Sequence, residues 1–167
     1  MQPPTTTDST IGPIEAVLAA DHRRLEGLLA RAEEGDQEAY EGLRSGLLRH
    51  IGVEEKIVLP TLRAAGHEAP VARQLKLDHS AIVAMLVPSP SPALLRRLAE
   101  FLALHDPLEE GAAGVYRLAD TRLADPAALL PLIEAAPSPP LAAHFDGERA
   151  HAAIELLFGR AMAARAG

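Results

Sequence analysis

The chain has 167 residues, 48% of them hydrophobic, but only three Phe, two Tyr and no Trp, so its core is aliphatic and Ala-rich. Such a length makes one domain of ordinary size, able to bury roughly 70% of its unfolded surface. The absence of cysteine excludes a disulfide framework, a Cys-ligated zinc or iron–sulfur site and thiol catalysis, and a net charge of −7 without any basic run offers no footprint for nucleic acid.

Abundant Ala, Leu, Glu and Arg favour helix, while the strand formers Val, Ile and the aromatics are scarce. Residues 1–12 are polar and Pro/Thr-rich and read as a flexible tail. The opening MQPPTTTDSTIGP lacks the positive n-region and apolar h-region of a secretory signal, and no stretch approaches the ~18 consecutive apolar residues of a membrane span. A soluble, cytoplasmic protein with no membrane contact is expected. A first helix is predicted from Pro13 to Glu34, with Gly35 as its stop. Asp36 caps a second, Gln37 to Ala65, which ends at Gly66 and bends where Pro60 removes a ladder donor. A third spans Ala69 to Val87, the PSPSP turn follows at 88–92, and a fourth runs from Ala93 to Ala119. Four long helices with short loops over residues 13–120 make an all-α, up-down-up-down antiparallel four-helix bundle. Residues 121–167 form a C-terminal extension: a short apolar helix in AALLPLIEAA, a stiff PSPP linker at 137–140 and a fifth helix over 141–165.

An internal repeat carries the chemistry. Asp21-His22 precedes Leu25, Leu28 and Leu29, and Asp78-His79 precedes Ile82, Met85 and Leu86 at the same offsets. His50 stands before Val53-Glu54-Glu55, and His105 before Leu108-Glu109-Glu110. The chain therefore reads His, HxxxEE, His, HxxxEE. With seven His and fifteen Glu in the chain, chance gives HxxxEE on the order of 0.06 times, so two copies are no accident. On each helix the polar residue interrupts the apolar stripe: His22 between Leu18 and Leu25, His50 and Glu54 with Leu43, Leu47 and Ile57, His79 between Leu75 and Ile82, and His105 and Glu109 with Leu98 and Phe101. Counted outward from the turns, His22 and His50 each lie about 20 Å along their helices, and the mismatch of about 6 Å between His79 and His105 across the PSPSP turn is no more than an HxxxE pair spans, which brings the motifs to one slab.

Two carboxylates buried among Leu and Ile each cost several kcal/mol unless compensated, and no Lys or Arg lies on these stripes. A cation is the simplest compensation. Four imidazoles and two carboxylates suit a pair of iron or manganese ions rather than calcium, and zinc would also accept these donors.

Over residues 13–120 this pattern resembles the haemerythrin-like (HHE cation-binding) family, whose motifs fall at His22, His50, Glu54, His79, His105 and Glu109, with Leu59-Pro60 and Tyr116 also in place. Ferritin-like bundles use two ExxH pairs, and the only ExxH here, Glu148 to His151, lies outside the four helices. The resemblance implies two iron ions with an oxo or hydroxo group between them, one held by His22 and His50 and the other by His79 and His105, with Glu54 and Glu109 bridging. Oxygen-carrying relatives add an HxxxH histidine on the third helix, where this chain has Leu75. That departure leaves a position open on both irons unless Glu55, Glu110, Tyr116 or water fills it. The implied function is a non-haem di-iron protein that binds or senses dioxygen or a related small oxidant (peroxide, nitric oxide) or takes part in iron handling. Two other readings stand beside it. One is a di-iron oxidoreductase turning over peroxide or nitric oxide; the other is an interaction module with a structural metal, whose fifth helix engages a protein partner or a second copy.

The remaining polar residues have plainer readings. Glu55 and Glu110 lie about 100° around the helix from Glu54 and Glu109 and are expected in solvent or behind the ligands. Asp21 and Asp78 either orient imidazoles or pair with Arg24 or Arg23 at the surface. Tyr40 and Tyr116 are expected to pack with their hydroxyls at the rim, and His67 to be exposed. His144 and His151 share a stripe with Ile154 and Phe158 on the fifth helix, packed against the bundle or forming an accessory metal site. Arg160 and Arg165 fit the charge preference of a helix C-terminus. Pro107 is expected to kink the fourth helix inside its motif.

Overall fold

The computed structural model describes residues 11–166; most of the predicted tail, residues 1–10, lies outside them. Helix α1 is Pro13–Glu33 and α2 is Gln37–Val53. Between them Gly35 takes a φ of 95°, the left-handed stop that the sequence calls for, and the Asp36 carboxylate accepts from the Ala39 N–H at 2.9 Å to cap α2. The rod continues through a π turn, Glu54–Val58, into α3, Leu59–Ala64. Pro60 explains the turn. It has no N–H to return to the preceding coil, and the Leu59 N–H reaches back five residues to the Glu54 carbonyl. The third rod is α4, Ala72–Met85, shorter at both ends than expected.

The fourth rod breaks rather than kinks. Helix α5, Pro92–His105, stops just before Pro107; α6 is the single turn Pro107–Glu110; and α7 is Val115–Arg122. Pro107 removes one backbone bond, and Gly111 and Gly114 bound a tight turn in which a Cβ on Gly114 would lie 2.3 Å from the Glu109 carbonyl oxygen. The four rods form an up-down-up-down bundle, and no strand occurs among the described residues.

The apolar core is in two pieces. One joins Leu25, Leu43, Leu47, Ile82, Met85, Leu98 and Phe101 at the end nearest the α1–α2 and α4–α5 loops. The other joins Ile14, Leu18, Val53, Val58, Leu62, Leu75, Val115 and Tyr116 at the opposite end. Each fully buried Leu or Ile contributes about 1.5–3 kcal/mol. The motif histidines sit between the two plugs, so aliphatic packing clamps a polar slab from both sides.

The C-terminal extension closes the lower plug and flanks the bundle. A 3₁₀ turn, Pro126–Leu129, and α8, Leu130–Ala135, bury Leu129 and Ile133 in the lower plug. Arg49 of α2 donates to the Ile133 and Ala136 carbonyls at 2.6 and 2.9 Å, pairing the free carbonyls at the end of α8. Residues 136–147 have no regular secondary structure where a helix was expected from 141, and helix α9 is Glu148–Ala166. The strap's polar groups find partners on the α4–α5 loop instead: Phe145 N–H donates to the Val87 carbonyl, and Asp146 accepts from the Ser89 N–H at 2.7 Å. His144 therefore lies off the predicted helical stripe. It stacks on Tyr40 with one ring nitrogen 2.8 Å from Glu41 and the other 3.1 Å from the Pro88 carbonyl, while His151 is exposed. Helix α9 packs on α4 through Ile154 and Ala161, and its Phe158 ring lies 5.2 Å from that of Phe101.

The residue before α1, Gly12, has no capping side chain; Asp120 of α7 supplies the cap from a distance, accepting from the Ile14 and Glu15 N–H groups at 2.9 Å each. An Asp120→Ala variant is expected to lose about 1–2 kcal/mol of stability, read as a lower urea midpoint with unchanged slope.

Candidate metal centre

Six side chains converge in the slab: His22 from α1, His50 from α2, Glu54 from the π turn, His79 from α4, His105 from the last turn of α5 and Glu109 from α6. Both glutamates are 0% exposed. The Nε2 atoms of His22 and His50 lie 2.9 Å apart. Glu54 Oε1 is 3.4 Å from His50 Nε2 and Glu109 Oε2 is 3.1 Å from His22 Nε2. On the other side, Glu109 Oε1 lies 2.8 Å from His105 Nε2 and 3.4 Å from His79 Nε2, and Glu54 Oε2 lies 3.1 Å from His79 Nε2. Each carboxylate thus turns one oxygen to each pair of histidines. The breaks at Pro60 and Pro107 fall beside the two glutamates, where departures from regular helix aim the side chains.

The outer nitrogens settle the orientation of the rings. Every Nδ1 meets a carboxylate: His22 meets Glu110 at 2.5 Å, His50 meets Asp21 at 2.9 Å, and His79 and His105 meet Glu55 and Asp78 at 3.0 Å each. A carboxylate there keeps the proton on Nδ1 and turns the lone pair of Nε2 inward. Glu55 and Glu110 lie behind the rings and, with Asp21 and Asp78, complete a carboxylate set that orients them. Asp21 also pairs with Arg24, but Asp78 is fully buried, so the surface pairing considered for it does not hold. Each aspartate serves the histidine of the next rod rather than its own neighbour, a pairing across helices that spacing along one helix does not reveal.

Tyr116 corrects a second expectation. Its hydroxyl is in the centre of the slab, not at the rim: it donates to Glu54 Oε1 at 2.5 Å and lies 3.0–3.1 Å from His50 Nε2, His22 Nε2 and Glu109 Oε2. The tight turn at Gly111–Gly114 restarts the rod as α7, with Tyr116 in its first turn, and delivers the hydroxyl there. Burial and then the charges of Glu54 and Glu109 push the phenol well above its ordinary value, so it remains a donor.

The donor set fits a cation. Four inward Nε2 lone pairs and two carboxylates meet one hydroxyl donor, and Glu54 Oε2 is buried without a hydrogen bond. Two groupings have ligand atoms within 4.8 Å of one another, His22–His50–Glu54–Glu109 and His79–His105–Glu109, with Glu109 common to both. Mixed nitrogen and carboxylate donors suit iron, manganese or zinc. Without a cation, protons take its place. Burial opposes charging His50, His79 and His105, but the facing carboxylates outweigh it and raise them to about 10, 11 and 9. His22 is raised as well, against its burial, by Glu109.

A Tyr116→Phe variant leaves Glu54 Oε1 without its donor. The cation-free protein is expected to lose about 1–3 kcal/mol of stability in urea, and the metal-loaded protein less, because the cation then holds Glu54.

Comparison with known families matches residues 14–125 to the hemerythrin HHE cation binding domain. No curated protein and no solved structure matches the chain. The matched segment contains all six inward side chains and Tyr116, and with the buried His/Glu cluster it fits a metal-binding protein for which iron is the typical cation. With most of its length covered by that one match, the chain belongs to the hemerythrin HHE cation-binding family.

Proposed function

We propose that the protein is a non-haem di-iron protein that binds or senses dioxygen or a related small oxidant, peroxide or nitric oxide, or takes part in iron handling. The observation that carries this reading is the division of each buried carboxylate between two histidine pairs, with Glu54 Oε2 left without a hydrogen bond. A pair of ferrous ions, when bound, supplies two electrons to a small oxidant.

The protein's own contribution is positioning and access. Nδ1 contacts lock four rings, the two plugs exclude bulk water, and Tyr116 holds a proton at its hydroxyl beside Glu54. Leu75, at the place of the additional histidine of oxygen carriers, lies in the lower plug and offers no donor. A cavity of about 220 Å³ between α1 and α5, walled mostly by Leu25, Leu29, Leu47, Ile82 and Leu102 but also lined by Glu26, Glu33 and Asp106, reaches His22, His50 and His105. Its apolar wall admits a small uncharged molecule to that side of the slab.

The test is anaerobic reconstitution with Fe(II), desalting and stopped-flow mixing with dioxygen, peroxide or nitric oxide. The expected result is about two irons per chain and prompt oxidation by at least one of the three. A reversible, slowly decaying response to dioxygen alone would instead mark an oxygen store, and multiple turnovers with an external reductant would mark an oxidoreductase.

A further inference from the structure

The two halves of the centre are backed differently. Behind His50, Asp21 pairs with Arg24 at 2.8 Å, but the Arg24 side chain is 50% exposed and its charge is screened by water. Behind His105, Asp78 is 0% exposed and receives the guanidinium of Arg165, which arrives from the last turn of α9, outside the matched family segment. Gln74 locks this arrangement: its amide donates to Asp78 Oδ1 at 2.7 Å and to the Ala161 carbonyl at 3.0 Å, joining α4 to α9 one turn before Arg165. Arg165 leaves its Nε buried without a partner. A buried unpaired donor is costly, which argues for a specific use of the charge at this place.

We propose, resting on the di-iron reading above, that Arg165 is a positioning residue which tunes the His79/His105 half of the centre through Asp78. A carboxylate on Nδ1–H makes an imidazole a stronger electron donor at Nε2. The Arg165 side chain, 18% exposed against 50% for Arg24, places its guanidinium on that same buried carboxylate and withdraws part of its negative charge, and with less water to screen it the effect reaches His105. His105 is therefore the weaker donor of the two aspartate-backed rings, His50 and His105, and the His79/His105 half holds its cation less tightly and is the easier to reduce. The C-terminal helix makes the two halves of a near-symmetric repeat unequal.

The experiment uses the full chain as wild type, Arg165→Met, Arg165→Lys and Arg24→Met. Apo protein is titrated with Co(II) alone, followed by its visible absorption, and the iron-loaded protein is titrated for its reduction potential. In Arg165→Met the weaker Co(II) step is expected to tighten by roughly tenfold and the potential to fall, with Arg165→Lys returning both toward wild type and Arg24→Met producing a smaller change. A purely structural prop predicts the opposite sign, weaker Co(II) binding that Lys does not rescue, and that result overturns the proposal, as does an unchanged Arg165→Met. Less than one Co(II) per wild-type chain would instead remove the di-iron reading itself, and this proposal with it.

Discussion

A Glu109→Gln variant reconstituted with Fe(II) is expected to retain well under one iron per chain, against about two for wild type and about one for His105→Ala. The asymmetry follows from the position of each donor. His105 turns its Nε2 to one side of the slab only, 2.8 Å from Glu109 Oε1. Glu109 faces both sides, with Oε2 3.1 Å from His22 Nε2 and Oε1 within reach of His79 and His105, and it is the residue common to both candidate groupings. Glutamine keeps the volume, so the slab stays filled and the helices stay packed. It removes the negative charge from both sides at once and presents an amide N–H where a lone pair is needed. Metal content by elemental analysis after desalting, beside far-ultraviolet circular dichroism to show the helices intact, makes the check. Two irons retained in Glu109→Gln would show that the two halves do not share this carboxylate.

How much of this was legible in the sequence depends on whether the information was periodic. Helices α1 to α4 follow from apolar stripes, the Asp36 cap and the glycine stops, because each signal acts within a turn or two of its own residue. The six inward residues were legible for the same reason: each breaks a stripe that must face the core. What was not legible acts across rods. Asp21 serves His50, and Asp78 serves His105, over separations of 29 and 27 residues. Tyr116 enters the slab because the rod breaks at Pro107 and resumes at Val115 after the tight Gly111–Gly114 turn, and neither the depth nor the direction of a helix break is written in its periodicity. The sequence pattern placed Arg165 as a cation at a helix end; in the structure it pairs with the buried Asp78. His144 went astray for a related reason. The strap's backbone finds partners on the α4–α5 loop, so the helix predicted over 141–165 starts only at Glu148.

Removing the metal should make the protein's stability fall with rising pH, while the loaded protein holds its stability, so that the difference in melting temperature widens from pH 6 to pH 10. In the cation-free slab His50, His79 and His105 titrate near 10, 11 and 9, above the ordinary 6.5, because the carboxylates facing them outweigh the cost of burial. A group raised on folding binds more protons in the native state than in the unfolded one. Its contribution is complete below pH 6.5 and is lost as the pH climbs through 9 to 11. Glu54 and Glu109 are shifted the other way: burial would raise them, but the histidines hold both below the ordinary 4.5. Their contribution is present above pH 4.5 and disappears on acidification. The apo protein should therefore be most stable near pH 5–6. A bound cation reverses the dependence on the histidines, because it takes the Nε2 lone pairs and displaces their protons; binding strengthens as pH rises and releases protons to the solvent. Thermal melts of chelated and Fe(II)-loaded protein at pH 6, 8 and 10 under nitrogen test both arms. Parallel curves would mean that the cation does not replace the protons on these three rings, and would move metal binding away from the slab.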